Sequence, residues 1–243
     1  MTAARFYCPI PLPEAGHVEL PNAQAHHAVR VLRLKTGDAV VLFNGQGGEV
    51  PGTIAQLQAN RVTVALHAPR TIERESSVAV TLIQALTGAD KMDLVIQKAV
   101  ELGVTRIVPV VTERSVVRLN GARAQKKLEH WQGVVIAACE QCGRNRLPEV
   151  TALAPLRERL LEAQSTAERW ILLPGAGCVL RSLAKPVGEI ALLVGAEGGF
   201  TPAEQHAALA HGFMPVQLGP RVLRTETAGL AALAAIQALW GDF

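Results

Sequence analysis

The sequence predicts an α/β chain with a small, mostly β unit at its front. Three observations carry that expectation. From residue 78 onward, apolar strand-like runs alternate with amphipathic helical ones. Before residue 68 the runs are short, rich in β-branched residues and joined by a hairpin signal. Two of the later strands run straight into glycine-rich turns that open helices. Strand-helix alternation implies parallel pairing with helices on both faces of a sheet.

In chain order, RFYCPI (5–10), AVVLF (39–43), VPGTIAQL (50–57) and RVTVALH (61–67) read as strands. Asn44-Gly45 between the second and third is the hairpin signal. AQAHHAVRVLRL (23–34) reads as one short helix, with Gly37 as its stop. The polar stretch APRTIERESS (68–77) marks a domain boundary, giving residues 1–72 and 73–243. VAVTLIQAL (78–86) is nearly all apolar, as a strand buried on both faces should be. DKMDLVIQKAVELG (90–103) places Met92, Val95, Ile96 and Ala99 on one helical face, with Gly103 as the natural residue after its end. RIVPVV (106–111) is a strand whose Pro109 argues for an edge or a bulge. Helices are expected from about Arg123 to Gln141 and from Ala154 to Ala163. WILL (170–173), IALLVG (190–195) and MPVQL (214–218) complete the strands, with helices from Pro202 and Glu226.

Composition narrows the function. Of 243 residues, 49% are hydrophobic and 19% charged, which excludes an intrinsically disordered chain. The net charge is +3, with 7 basic and 6 acidic side chains in residues 1–75 and 17 and 15 in the rest. Neither part is a basic tail that would coat nucleic acid. Basic groups do cluster, as Arg30, Arg33 and Lys35 with His26 and His27, and as Arg114, Arg118, Arg123, Lys126 and Lys127. Such patches can neutralise phosphates, although solvated helix faces look the same. The run Ala228 to Trp240 is 13 residues long, short of the roughly 20 that cross a bilayer. With no apolar segment before Arg5, a signal peptide is not expected, and the expectation is a soluble cytoplasmic protein without membrane partners. Four cysteines fit a reducing compartment better than a disulfide scaffold.

The segment LLVGAEGGFTPAEQ (192–205) carries the strongest local signal. An apolar strand enters Gly195-Ala196-Glu197-Gly198-Gly199, then Thr201, Pro202 and Glu204 form a helix start with a capping box. Glycines at the C-terminal end of a strand let a ligand approach the backbone. QLGPRVLRTETAGLAALAAIQALW (217–240) repeats the layout, with Arg221, Arg224, Thr225 and Glu226 in the loop and an alanine-rich helix behind. ACEQCGRNRLP (138–148) holds Cys139 and Cys142 without a second such pair, so no metal site is expected. It also crowds Glu140, Gln141, Arg144 and Arg146 at a helix end. Pro174-Gly175-Ala176-Gly177 offers two-thirds of a dinucleotide fingerprint, but Leu180 stands where its third glycine belongs. A nicotinamide-dependent oxidoreductase and a non-enzymatic RNA-binding module are the competing readings.

The segments TGADKMDLVIQKAVELGVTRIVPVVTERSV (87–116), CEQCGRNRLPEV (139–150), LLVGAEGGFTPAE (192–204) and LGPRVLRTETA (218–228) occur here in the order and spacing of the RsmE family. HHAVRVLRLKTGD (26–38) and LFNGQGGEV (42–50) resemble its first domain. The resemblance covers nearly the whole chain. It implies a 16S ribosomal RNA (uracil-N3)-methyltransferase that uses S-adenosylmethionine, acts on the 30S subunit and is a homodimer. It also implies a SPOUT-type α/β domain with a C-terminal trefoil knot behind a PUA-like, RNA-binding β-barrel. The family's usual target is uridine 1498 of that RNA. The family usually has Gly-Pro-Glu-Gly-Gly where this chain has Ala196 as the second residue. Alanine restores an N–H, and the turn should survive.

The resemblance assigns the residues as follows. Gly195, Glu197, Gly198 and Gly199 form one wall of the cofactor cleft. Leu218, Gly219, Leu223, Arg224, Thr225, Glu226, Thr227 and Ala228 form a second, with Leu218 and Leu223 against the adenine. Leu172 and Leu173 form a third. Uracil N3 bears a proton that must leave, so either a base takes it or a cation stabilises the uracil anion. Arg114, Arg144 and Arg224 are candidate cations, and Glu140 and Glu197 candidate bases. Arg5, His26, Arg30, Arg33, Arg118, Arg123, Lys126 and Lys127 are expected at ribosomal RNA phosphates. Only 9 of the 243 residues are aromatic, too few for a base-stacking platform.

Overall fold

The computed structural model describes residues 3–58, 61–115, 121–162 and 168–243. The chain divides into two compact units, Met1–Glu75 with Cys139–Leu147, and Ser76–Ala138 with Pro148–Phe243.

In the first unit, β1 (Ala4–Tyr7), β2 (Gly16–Glu19), β3 (Ala39–Phe43), β4 (Val50–Gln58) and β5 (Arg61–Leu66) form one sheet in the order β1-β3-β4-β5-β2. β1 and β3 are parallel and the other pairs antiparallel. Alternate residues point inward, so Val40, Leu42, Val50, Ile54, Val62 and Val64 share a core with Phe6 and Leu20. At Gly52 a Cβ would stand 2.5 Å from Val64 Cγ1, so only glycine fits where β4 crosses β5. The hairpin between β3 and β4 is present, but its loop spans residues 44–49 rather than two residues. β2 escaped the sequence reading, because GHVE carries only one buried apolar residue.

The helix expected over 23–34 is present over 22–31, with a change of turn type midway. α1 (Asn22–His26) gives way to a wider turn over 27–31, where Leu32 N–H bonds His27 O at 3.0 Å. It ends at Arg33, which takes φ 52°, before Gly37 is reached. Ala25 and Ala28, three residues apart on one face, are buried, and His26 and Arg30 are exposed.

Segment 139–147 is locked into this unit by charge. Glu49 is buried, and its Oε2 accepts from Arg5 at 2.7 Å, Arg74 at 3.2 Å and Asn145 at 3.4 Å. Arg5 also donates to Asn145 Oδ1 at 2.5 Å and lies 5.1 Å over the Phe43 ring. Arg144 pairs with Glu75, Arg146 with Glu73 at 2.7 Å, and Tyr7 N–H donates to Glu140 at 2.9 Å.

The second unit is the expected strand-helix alternation. β6 (Val80–Ala85) is buried at all six residues. α2 (Ala89–Glu101) buries Met92, Val95, Ile96, Ala99 and Val100, and Gly103 at φ 82° follows its end. Each of the larger side chains contributes about 1.5–3 kcal/mol by leaving water. Then come β7 (Arg106–Val111), α3 (Gly121–Cys142), β8 (Glu149–Val150), β9 (Ala154–Pro155), α4 (Leu156–Glu162), β10 (Glu168–Leu172), β11 (Cys178–Val179), β12 (Ile190–Val194), α5 (Pro202–Ala210), β13 (Met214–Gln217) and α6 (Thr225–Trp240). The sheet order is β11-β13-β10-β12-β6-β7-β8, with β9 also on β7, and the described pairings are all parallel. Pro109 faces Gln84 of β6 and falls between the short partners at 106–107 and 110–111, where that side of the ladder is broken.

The sheet is covered on both faces. Ile83, Ala85, Ala191 and Leu193 pack with Leu156 and Leu160 of α4 and Ala208 of α5. Leu82, Gln84 and Val194 face α6 instead. A Cβ on Gly229 would lie 3.2 Å from Gln84 Oε1 and 3.4 Å from Leu82 Cδ1, so that glycine sets how close the helix comes.

The Glu49 cluster yields a testable pH dependence. Burial works to raise the Glu49 carboxyl, but Arg5 and Arg74 together hold it below its ordinary value of 4.5. Its contribution is therefore complete above pH 4.5 and fades as acid drives the folded group through its lowered value. Glu49→Ala should cost about 3–5 kcal/mol near neutral pH by leaving Arg5 buried without its carboxylate. Chemical denaturation across pH should show the gap to wild type narrowing below pH 4.5.

Candidate functional site

Three adjacent parallel strands, β13, β10 and β12, end side by side, and their C-terminal ends open into a cavity of about 560 Å³. That volume lies in the range of small-molecule sites.

The first wall is the turn after β12. Gly199 N–H bonds Ala196 O at 2.8 Å, closing the turn with Gly199 at φ 68°. Ala196 is buried in the core with Phe200, so the turn forms with alanine in the place of proline. The three glycines have separate causes. A Cβ on Gly195 would meet the Phe200 ring at 3.1 Å, and one on Gly198 would meet Arg114 Cβ at 3.2 Å. A Cβ on Gly199 would meet nothing within 4 Å, so there the backbone conformation is what requires glycine. Thr201 caps α5 with the full capping box, Glu204 N–H donating to Thr201 Oγ1 at 3.2 Å and Thr201 N–H to Glu204 at 2.9 Å.

The second wall is the loop from β13 to α6. Gly219 takes φ 142° with open space beyond it, and Leu218 and Leu223 face the cavity. Thr225, the first residue of α6, is buried and donates its hydroxyl to Gly195 O while accepting from Gln84 Nε2 at 3.1 Å. Leu172, Leu173 and Pro174 at the end of β10 make the third wall.

The charged lining is uneven. Lys91, Arg114, Arg221 and Arg224 line the cavity together with Glu197 and Glu226. Lys91 Nζ stands 3.1 Å from Glu197 and 3.7 Å from Glu226, whose buried Oε2 has no hydrogen-bond partner. Burial works to raise the Glu197 carboxyl, but its own backbone N–H and Lys91 hold it below the usual carboxylate range. Arg114 Nη1 donates to Gly198 O at 2.7 Å. The exposed Arg224 guanidinium makes no hydrogen bond or ion pair among the described residues, and its carbonyl accepts from Thr227 and Ala228 N–H.

The structure gathers most of the expected cofactor residues here. Leu172, Leu173, Gly195, Glu197, Gly198, Gly199, Leu218, Gly219, Leu223, Arg224, Thr225, Glu226 and Ala228 all line the cavity, as does Arg114, while Thr227 is not in the lining. Glu140 and Arg144 are corrections, since neither lines it. Arg144 is buried against Glu75, and Glu140 holds the Tyr7 N–H with its carboxyl pushed up by burial. A polar helix end crowded in sequence has been used here to lock the first unit. Arg5, expected at phosphates, is paired with Glu49 at 2.7 Å. His26, Arg30, Arg33, Arg123 and Lys126 are exposed as a phosphate-binding role requires. Lys127 is half-buried, 3.0 Å from Asp93 and 5.7 Å over the Trp131 ring. Arg118 lies outside the described residues.

Sequence reasoning missed Lys91, Phe200 and Gln205 as lining residues. Lys91 had a signal, since it opens the helix after β6, whose C-terminal end is next to that of β12. Gly199→Val should forfeit the left-handed turn, at about 1–2 kcal/mol, and place a branched side chain toward the cavity. Ligand uptake should be lost in calorimetry while circular dichroism still reports the wild-type fold.

Comparison with known proteins agrees with this architecture. The family described as RNA methyltransferase domain matches residues 74–237, and the RNA methyltransferase PUA domain matches residues 20–66. The ribosomal RNA small subunit methyltransferase E of Buchnera aphidicola subsp. Schizaphis graminum is 32% identical over 228 residues, covering 93% of this chain and 92% of that one. Its namesake in Bacillus subtilis is 31% identical over 92% of this chain and 90% of its own. The crystal structure of ribosomal RNA small subunit methyltransferase E from Neisseria gonorrhoeae, bound to S-adenosyl methionine, superposes with a TM-score of 0.94 at 41% identity over the full length of both chains. Sequence, family match and fold agree, and the chain belongs to the ribosomal RNA small subunit methyltransferase E family.

Proposed function

We propose that the cavity holds S-adenosylmethionine and that the chain transfers its methyl group to N3 of a uridine in 16S ribosomal RNA. The observation that carries this reading is the cavity at the ends of β10, β12 and β13, with bare glycine backbone, leucine walls and three guanidiniums. The residues suit such a cofactor. Leu172, Leu218 and Leu223 offer apolar surface to a flat base, and the open space at Gly199 and Gly219 admits a ligand against the main chain. Glu197 and Glu226 supply negative charge for a cationic ligand, and Lys91 supplies positive charge for a carboxylate.

When bound, the cofactor supplies a methyl group on a positively charged sulfur. The chain has to hold the uracil ring in line with that methyl and manage the N3 proton. The N3 proton would leave to solvent, and the resulting uracil anion would be the acceptor for that methyl. Glu197 is a poor base, because its low proton affinity and its pairing with Lys91 keep it ionised. The work falls to Arg114 and Arg224, which stabilise negative charge on O2 and O4 by charge-assisted hydrogen bonds.

The finer reading extends outward. The target is uridine 1498 on the 30S subunit. Residues 1–72 hold RNA, with His26, Arg30 and Arg33 on phosphates, and residues 73–243 carry the chemistry and the trefoil knot. The working form is a cytoplasmic homodimer. In its support, Leu239 is exposed near the end of α6, a helix that is apolar nearly all round, and Val222 is exposed in the loop before it. Among the described residues, no helix is long and apolar enough to cross a membrane.

S-adenosylmethionine at 100 times its dissociation constant should raise the melting temperature by roughly 5–10 °C, and NAD should not. A shift with NAD alone would refute methyl transfer. Arg114→Ala and Arg224→Ala should each cut turnover on 30S subunits by about 10²–10³ if each carries transition-state charge. RNA binding should weaken steeply between 50 and 200 mM salt, by about 10³ or more if six phosphates are contacted.

A further inference from the structure

We propose that Glu204 is a positioning residue for Arg114, an inference that rests on the methyl-transfer reading of the cavity. A capping glutamate has one duty, to accept from the N–H at the head of its helix. Here Oε2 of Glu204 performs it, accepting from Thr201 N–H at 2.9 Å and from the Thr201 hydroxyl at 3.2 Å. Oε1 is turned to a different partner, the Glu113 N–H at 2.8 Å. The residue that caps α5 thus also grips the loop that carries Arg114.

Among the described residues, the start of that loop, 112–115, is closed on itself. Thr112 and Ser115 are buried, their hydroxyls 2.9 Å apart, with Thr112 N–H on Ser115 Oγ at 3.1 Å and Ser115 N–H on Thr112 O at 3.1 Å. Glu113 and Arg114 are left at the tip. Glu204 fixes the tip at Glu113, and the Gly198 carbonyl fixes the Arg114 guanidinium at 2.7 Å. The arginine stem lies across Gly198, where a Cβ would stand 3.2 Å from Arg114 Cβ. Backbone and head group are anchored separately, and a long side chain with many rotamers is aimed along the cavity wall before substrate arrives.

The test compares variants on 30S subunits, reading kcat, the dissociation constant for S-adenosylmethionine and the melting temperature together. Glu204→Gln keeps size but has one oxygen where the carboxylate offers two oxygens to three donors, and its amide NH2 cannot accept from the Glu113 N–H, so kcat should fall about tenfold or more with cofactor affinity held within about twofold. Thr201→Ala removes the capping hydroxyl and leaves Oε1 in place, so it should lower the melting temperature and keep kcat within about twofold. Glu113→Pro removes the same hydrogen bond from the donor side, at a turn position that favours proline, and should reproduce the loss of kcat. Wild-type kcat in Glu204→Gln or Glu113→Pro overturns the proposal, as does a loss of kcat that simply tracks melting temperature across all three. A wild-type chain that takes up no S-adenosylmethionine overturns the methyl-transfer reading, and the positioning role with it.

Discussion

The cavity exists because the Thr225 hydroxyl joins two of its walls. Its hydrogen goes to the Gly195 carbonyl, and its lone pair takes the Gln84 amide. All three residues lie in or beside the central strands, where an unpaired polar atom is costly. The pairing brings the first turn of α6 to the mouth of β12. Gly229, one turn further on, lets the rest of the helix lie against Leu82 and Val194. An apolar residue at 225 would leave the Gly195 carbonyl and the Gln84 amide each short of a partner, and both cavity-forming turns would lose their common anchor.

Arginine serves two purposes in this chain, and burial separates them. Arg5 and Arg144 are enclosed and matched to Glu49 and Glu75, so their charge is spent internally. Arg30, Arg33, Arg221 and Arg224 stand in solvent with no carboxylate against them among the described residues. The first kind stabilises a particular packing, and the second is left to act on something outside. Net charge alone, at +3, conceals that division.

Much of the architecture was legible because it depends on short-range rules. The β6 run, the Met92 stripe of α2 and the Thr201 to Glu204 cap are local patterns, and each appears where the pattern places it. The cofactor walls were legible through glycines at strand ends together with the family resemblance. What failed depended on pairing across distance. No local pattern states that β13 inserts between β11 and β10, or that Lys91 reaches Glu197. In sequence a polar cluster looks alike whether it meets a substrate or the chain itself, as Glu140 meets the Tyr7 N–H, Arg144 meets Glu75 and Arg5 meets Glu49. The helical stretch expected over 23–34 is present over 22–31, and only its change of turn type was not legible. The five-residue turn over 27–31 leaves no mark in the spacing of apolar residues, since Ala25 and Ala28 would share a face of an ordinary helix as well.

The first unit is assembled from two stretches of chain separated by more than 60 residues. Its buried carboxylate at Glu49 needs Asn145 as well as Arg5 and Arg74. During synthesis, the strands of residues 4–66 emerge while that last donor has yet to be made. At about 5–20 residues per second, the wait between residue 75 and residue 147 is roughly 4–14 seconds. For that interval Glu49 has Arg5 and Arg74 within reach but not Asn145, and the seam where segment 139–147 will lie is open to water. The N-terminal part of the chain is thus first out of the exit tunnel, yet it cannot close until much of the second unit has been translated.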